Sequence, residues 1–181
     1  MTTARPPLDT RSLRIIPLSD AGLLDAFDSG ESEIDHNIDR CCERHHKYRS
    51  RVFCAIVDGE QSAYGFYCLS ISASESKYLA EEIIRANEGR AFVPFLYINY
   101  LAVRKDWQNQ KIGTLLLIDA LTRCERVVRD VGVYGVALNA LTERAARLYE
   151  KYGFRPYGET KYPLMILPAR SLIELFASSA P

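Results

Sequence analysis

The segment Leu101-Ala-Val-Arg-Lys-Asp-Trp-Gln-Asn-Gln-Lys-Ile-Gly-Thr114 has the residue types and spacing best suited to holding an anion. An apolar stretch passes through a short polar turn straight into an amphipathic run, which predicts a buried strand feeding the first turn of a helix. Backbone N–H groups from Gln108 through Gly113 would lack acceptors within that helix. Together with the positive end of the helix dipole they can cradle a phosphate or pyrophosphate. Gly113 permits close approach, Gln108 offers a side-chain amide donor, and Lys111 offers a cation that could equally face solvent. Farther along, Thr142-Glu-Arg-Ala-Ala-Arg-Leu-Tyr-Glu-Lys-Tyr-Gly-Phe154 reads as a helix capped by Thr142 and stopped by Gly153. Its spacing puts Ala145, Leu148 and Tyr149 on or beside the buried face and aims a phenol inward. The plain alternative is a core aromatic whose hydroxyl finds some partner.

Other groupings are better explained by packing. Cys41 with His45, and Cys42 with His46, stand four residues apart in a helical stretch, a spacing that suits a metal. Adjacent pairs point in different directions and no further paired ligands are evident, so no metal site is expected. The five cysteines are odd in number and show no C-x-x-C spacing, which reads as reduced thiols. Cys124 reads as core rather than as a nucleophile. Arg104, Lys105, Lys111, Arg123, Arg126 and Arg129 could form a basic strip for nucleic acid, although a solvated helix face is the default reading.

The elements that must position these residues follow from the pattern of the chain. At 181 residues and 48% hydrophobic, the sequence predicts a single domain spanning 1–181, with residues 1–10 and 178–181 as frayed ends. A core at this size needs no disulfide or metal staple. Twenty-three Lys and Arg against 23 Asp and Glu exclude the global basic footprint of a dedicated nucleic-acid binder. No secretory signal pattern and no apolar run of membrane-spanning length is evident, so a cytoplasmic protein without membrane contact is expected. Strands are predicted at Leu13–Leu18, in a hairpin of Val52–Val57 and Ala63–Ser72 about Asp58-Gly59, at Phe92–Val103, at Val131–Leu138 and at Tyr162–Leu167. The stretch Phe92–Val103 should be central and buried on both faces. Helices are predicted at Ala21–Phe27 behind a Ser19-Asp20 cap, at Glu31–Arg49, at Lys111–Arg129, at Thr142–Tyr152, and from Pro168 to Phe176, with a short one within Glu75–Arg90. The fold class is α+β (mixed α/β).

With these residues in place the sequence becomes recognisable. Trp107-Gln108-Asn109-Gln110-Lys111-Ile112-Gly113 resembles the Gln/Arg-x-x-Gly-x-Gly/Ala pyrophosphate loop of the GNAT superfamily of N-acetyltransferases, with Lys111 in place of the first glycine. The run from Thr142 to Phe154 resembles the family's Asn-x-x-Ala-x-x-Leu-Tyr-x-Lys-x-Gly-Phe, with Thr142 for the asparagine. Phe27-Asp-Ser-Gly-Glu-Ser-Glu-Ile-Asp-His-Asn-Ile38 looks like the Phe-Asp-Cys-Gly signature of a branch that contains toxins acetylating aminoacyl-tRNA. Gly65-Phe-Tyr-Cys-Leu-Ser70 and Tyr162–Leu172 resemble that branch's strand and closing segment. Before Leu-Ala-Val, where the branch usually has Gly-Arg, this chain has Asn99-Tyr100.

The resemblance implies a central, mixed, mostly antiparallel twisted sheet flanked by helices, with splayed central strands. It implies acetyl-CoA as cofactor, held at Leu101, Ala102, Val103, Gln108, Asn109, Gln110, Lys111, Ile112, Gly113, Thr114 and Thr142. It also implies that Tyr149 protonates the departing thiolate, and it puts Asp28 and Glu33 beside the acceptor. Acetyl would pass directly to a primary amine. Three readings compete. The acceptor is the α-amine of an aminoacyl-tRNA, with an antitoxin protein and a homodimer as the branch's partners; or it is a small-molecule or protein amine; or the chain is a catalytically weak CoA-binding module.

Overall fold

Alternating and β-branched apolar runs form seven strands in the computed structural model, which describes residues 9–75, 79, 81–88, 90–157 and 162–177. The strands are β1 (Leu13–Pro17), β2 (Arg51–Val57), β3 (Gly65–Glu75), β4 (Phe92–Val103), β5 (Gly135–Asn139), β6 (Arg155–Tyr157) and β7 (Leu164–Pro168). The helices are α1 (Ser32–Asp35), α2 (Ile38–His46), α3 (Glu81–Ala86), α4 (Ile112–Asp130), α5 (Glu143–Glu150) and α6 (Ala169–Ala177). Short 3-10 turns occupy Thr10–Ser12, Ala21–Leu24 and Lys105–Trp107. The sheet order is β1-β2-β3-β4-β5-β7-β6, so β4 is central as expected. The chain divides into two compact units, Met1–Cys68 with Tyr100–Ile118, and Leu69–Asn99 with Asp119–Pro181.

In the first unit β1 pairs antiparallel with β2 from Leu13↔Val57 to Pro17↔Phe53. The helix expected at Ala21–Phe27 is only the 3-10 turn, capped by Asp20, whose carboxylate accepts from Gly22 N at 2.9 Å. The helix expected at Glu31–Arg49 is two, broken at His36-Asn37. There Asn37 Nδ2 donates to Glu33 O at 2.8 Å and His36 Nδ1 meets Ser32 O at 2.6 Å, side chains competing for carbonyls the helix would use. Ile34, Ile38, Cys41, Cys42 and His45 are buried across the break, so the apolar spacing continues where the backbone does not. A Cβ on Gly65 would lie 2.7 Å from Ala102 O and 2.8 Å from Leu116 Cδ1, which fixes glycine at the start of β3.

In the second unit β4 and β5 pair in parallel, and β5–β7 and β6–β7 pair antiparallel. Ile83, Val93, Phe95, Ala137 and Ile166 form a core cluster there. Gly135 has no room for a side chain, since a Cβ would come within 2.2 Å of Leu167 O. The strand expected to begin at Val131 begins at Gly135, because α4 continues to Asp130 and Val131 is half exposed. Strand β6 was not expected: its Pro156 lacks the N–H of an interior strand, and the three residues lie at the sheet edge. Pro168 ends β7 opposite Gly135 rather than opening α6. Strand β4 has buried residues on both faces, Val93 and Phe95 on one and Leu96, Ile98 and Ala102 on the other, as expected, while Phe92 at its start is 58% exposed. Along α4 the buried stripe is Ile112, Leu116, Leu117, Ala120, Leu121 and Cys124, while Ile118 is exposed. Within the end expected to fray, Asp9 caps the 3-10 turn Thr10–Ser12, its carboxylate accepting from Arg11 N at 3.0 Å. The other residues of the expected frayed ends, 1–8 and 178–181, lie outside the described residues.

Candidate functional site

Strand β4 creates the first half of the site by outrunning its neighbour. The parallel ladder with β5 ends at Ile98↔Leu138, while β4 continues through Leu101, Ala102 and Val103. Residues 99–103 thus extend past the last parallel pair. Arg104 N donates to Tyr64 O at 2.9 Å, and the chain then turns through Lys105–Trp107 into α4.

The turn is held in a particular shape. Asn109 and Lys111 have φ of 67° and 64°, left-handed values. Asparagine visits that region readily, whereas for lysine it is strained by about 1 kcal/mol. The position where the family pattern has its first glycine therefore needs positive φ, and Lys111 adopts it with its side chain exposed. Leu115 N donates to Lys111 O at 3.1 Å, the first full helical bond of α4. Helix geometry leaves the N–H groups of Ile112, Gly113 and Thr114 without intrahelical acceptors at the positive end of the dipole.

Gly113 is informative because the fold does not require it. A Cβ there would meet only Val103 Cγ2, at an ordinary 3.6 Å, and glycine destabilises a helix by about 0.5–1 kcal/mol relative to alanine. The remaining demand for a bare Cα is close approach by a ligand. A pyrophosphate fits that demand and the donor set of the turn.

Gln108 does not project its amide toward an anion, as the sequence suggested. Its Nε2 donates to Ser29 O at 2.8 Å and to Val103 O at 3.2 Å. Its neighbours across that contact are Asp28, whose carbonyl accepts from Lys105 N at 2.8 Å and whose carboxylate pairs with Lys105 Nζ, and Gly30, which donates to Asp28 Oδ1 at 2.8 Å. The Lys105 ammonium beside Asp28 holds its carboxyl below the usual range. Buried Ser29 donates from N (3.0 Å) and Oγ (2.7 Å) to Asp35 Oδ1. Asp28 is thus tied up in the loop, whereas Glu33 is exposed on α1 and electrostatically close to Tyr100, whose phenol is pushed up chiefly by burial. Sequence reasoning missed Ser29, Asp35 and Lys105 as parts of this arrangement. An Asp-Ser-Gly turn with an acid six residues on was the local signal, and the Gln108–Ser29 contact, 79 residues apart, left none.

Thr142 and Tyr149 belong to the second unit. Thr142 caps α5, its hydroxyl accepting from Ala145 N at 3.1 Å. Tyr149 is 6% exposed and packs at 5.8 Å from the Phe154 ring, where Gly153 (φ 88°) turns the chain. Burial pushes its phenol up to about 12, so it stays protonated across the neutral range. Tyr152 is only partly buried.

The remaining candidates settle as packing. His45 Nδ1 accepts from Val52 N at 3.0 Å, which ties it to the start of β2. Among the described residues no group of three His, Cys, Asp or Glu is placed to hold a metal ion. All five cysteines are free and buried, with Cys124 pushed up to about 12 by burial. In the basic strip, Arg104 pairs with Asp106, Lys105 with Asp28, Arg123 with Asp119 and Arg129 with Glu125. Among the described residues no helix is long and apolar enough to cross a membrane.

Comparison with known proteins agrees with this geometry. Residues 48–156 match the family described as the acetyltransferase (GNAT) domain. A tRNA-acetylating toxin of Mycobacterium tuberculosis (strain ATCC 25618 / H37Rv) is 31% identical over 159 residues, 86% of this chain and 93% of that protein. A crystal structure of a tyrosine-to-phenylalanine mutant of KacT superposes with a TM-score of 0.80 at 23% identity, over 91% of this chain and 99% of that one. AtaT complexed with acetyl-methionyl-tRNAfMet superposes with a TM-score of 0.77 at 25% identity, over 91% and 99%.

Proposed function

Because this chain belongs to the GNAT family, and is an acetyl-CoA-dependent N-acetyltransferase, we propose that its acceptor is the α-amine of an aminoacyl-tRNA. The observation that carries this reading is the 31% identity to a tRNA-acetylating toxin along 93% of that protein's length. The structural likeness to AtaT, solved with acetyl-methionyl-tRNAfMet, supports it.

Acetyl-CoA, when bound, supplies an activated thioester carbonyl. Backbone groups of Leu101, Ala102 and Val103 hold the pantetheine arm, and the N–H groups of Ile112, Gly113 and Thr114 hold the pyrophosphate. An N–H near Val103 polarises the thioester oxygen. The phenol of Tyr149 donates a proton to the departing sulfur, a role that requires the neutral form which burial enforces. Water takes the acceptor's proton, which suffices for an α-amine of modest basicity. In this reading the protein works in the cytoplasm, where charged tRNA lies, as a homodimer restrained by an antitoxin protein. An AtaT mutant toxin has been solved bound to the C-terminus of the antitoxin AtaR.

Purified protein should consume acetyl-CoA in the presence of a bulk aminoacyl-tRNA pool and leave polyamines, free amino acids and peptides untouched. Turnover confined to the soluble amines would replace the acceptor and keep the enzyme.

A further inference from the structure

We propose that Gln108 is a positioning residue that transmits occupancy of the pyrophosphate loop to the acceptor-side segment 28–35. The inference rests on the reading above that acetyl-CoA binds residues 101–103 and 108–114. It goes further in making the two substrates' segments mechanically one unit.

Both carbonyls that face the Gln108 side chain, Ser29 O at 2.8 Å and Val103 O at 3.2 Å, are acceptors, so only an NH2 group satisfies them together. One amide nitrogen thus joins the end of β4, the turn into α4 and the segment before α1. Beyond Ser29, itself buried, the connection continues through part-buried polar contacts: Ser29 N and Oγ both donate to Asp35 Oδ1, and Glu31 N donates to Ser29 Oγ at 3.1 Å. Lys105 reinforces the same junction from the other side, through its N–H on Asp28 O and its ammonium on the Asp28 carboxylate. A displacement of the 103–108 turn of a few tenths of an ångström must therefore be taken up by residues 28–31, because each end is held by directional bonds rather than by loose apolar contact.

The test is amide hydrogen exchange with and without CoA, on wild type and three variants. In wild type, CoA should slow exchange both in 108–115 and in 28–36. Gln108→Glu is isosteric but has no donor for either carbonyl; CoA should still protect 108–115 while the response of 28–36 is lost. Gln108→Arg restores donors and should restore that response. Asp35→Asn, which leaves the turn intact, should also weaken it. With charged tRNA as acceptor, Gln108→Glu should raise the acceptor KM by about tenfold, a loss equivalent to one well-made hydrogen bond, with a smaller change in CoA affinity. Protection of 108–115 without any response of 28–36 in wild type overturns the coupling, as does an unchanged response in Gln108→Glu. Failure of CoA to protect 108–115 would instead overturn the cofactor reading itself.

Discussion

Gly113 and Lys111 separate what the fold needs from what the ligand needs. Alanine at 113 meets no obstacle in the protein and is the better helix former, so Gly113→Ala should melt at the same temperature or higher, by up to about 1 kcal/mol of stability. Its CoA affinity should fall by about tenfold or more, because the methyl group occupies the approach to the α4 N-terminus. A thermal melt paired with a CoA titration checks both halves. Lys111 presents the converse case. Replacing it with glycine relieves a left-handed lysine at φ 64° and should raise stability by about 1 kcal/mol. If the lysine is tolerated there for its charge, CoA should bind the Lys111→Gly variant more weakly despite the gain. Equal affinity in a salt-free titration would assign Lys111 no part in binding.

At the scale of elements, two positions hold strands where they are. Gly135→Ala would push a methyl into the Leu167 carbonyl and should destabilise the protein by about 3 kcal/mol or more in denaturant unfolding, by forcing β5 and β7 apart. His45 anchors the start of β2 through an unprotonated Nδ1, and burial, with Arg51 nearby, lowers its affinity for protons below the ordinary 6.5. Above that value the ring is neutral folded or unfolded. Below it the unfolded chain binds more protons, so stability should fall as pH drops through the window beneath 6.5. Unfolding midpoints measured between about pH 7.5 and about pH 5 should show a shallower acid loss in His45→Asn, which keeps an acceptor without a titrating group. Most elements were legible in the sequence, because Leu13–Pro17, the two hairpin strands, β4, α4 and α5 carry their own periodicity and caps. The α1–α2 break was not, since Ile34, Ile38, Cys41 and His45 keep helical spacing across it while His36 and Asn37 divert two carbonyls. Strand β6 was hidden by its proline. In the site, the strand-turn-helix and the Tyr149 helix could be read directly. The use of Gln108 could not, because its partner Ser29 is distant in sequence and close only in the fold.

For the whole molecule, a formal charge of zero and the ion pairing of Arg104, Lys105, Arg123 and Arg129 argue against binding tRNA by bulk electrostatics. Under the proposed function, selection of charged tRNA then depends on the aminoacyl end, and transfer to it should depend on Tyr149. The measurement is transfer of radiolabelled acetyl from acetyl-CoA to a bulk aminoacyl-tRNA pool, with deacylated tRNA and Tyr149→Phe as controls. The expected result is label on charged tRNA only, reduced by about 10²-fold or more in Tyr149→Phe while CoA binding persists. Label absent from charged tRNA while a soluble amine is acetylated, or undiminished transfer by Tyr149→Phe, would contradict it.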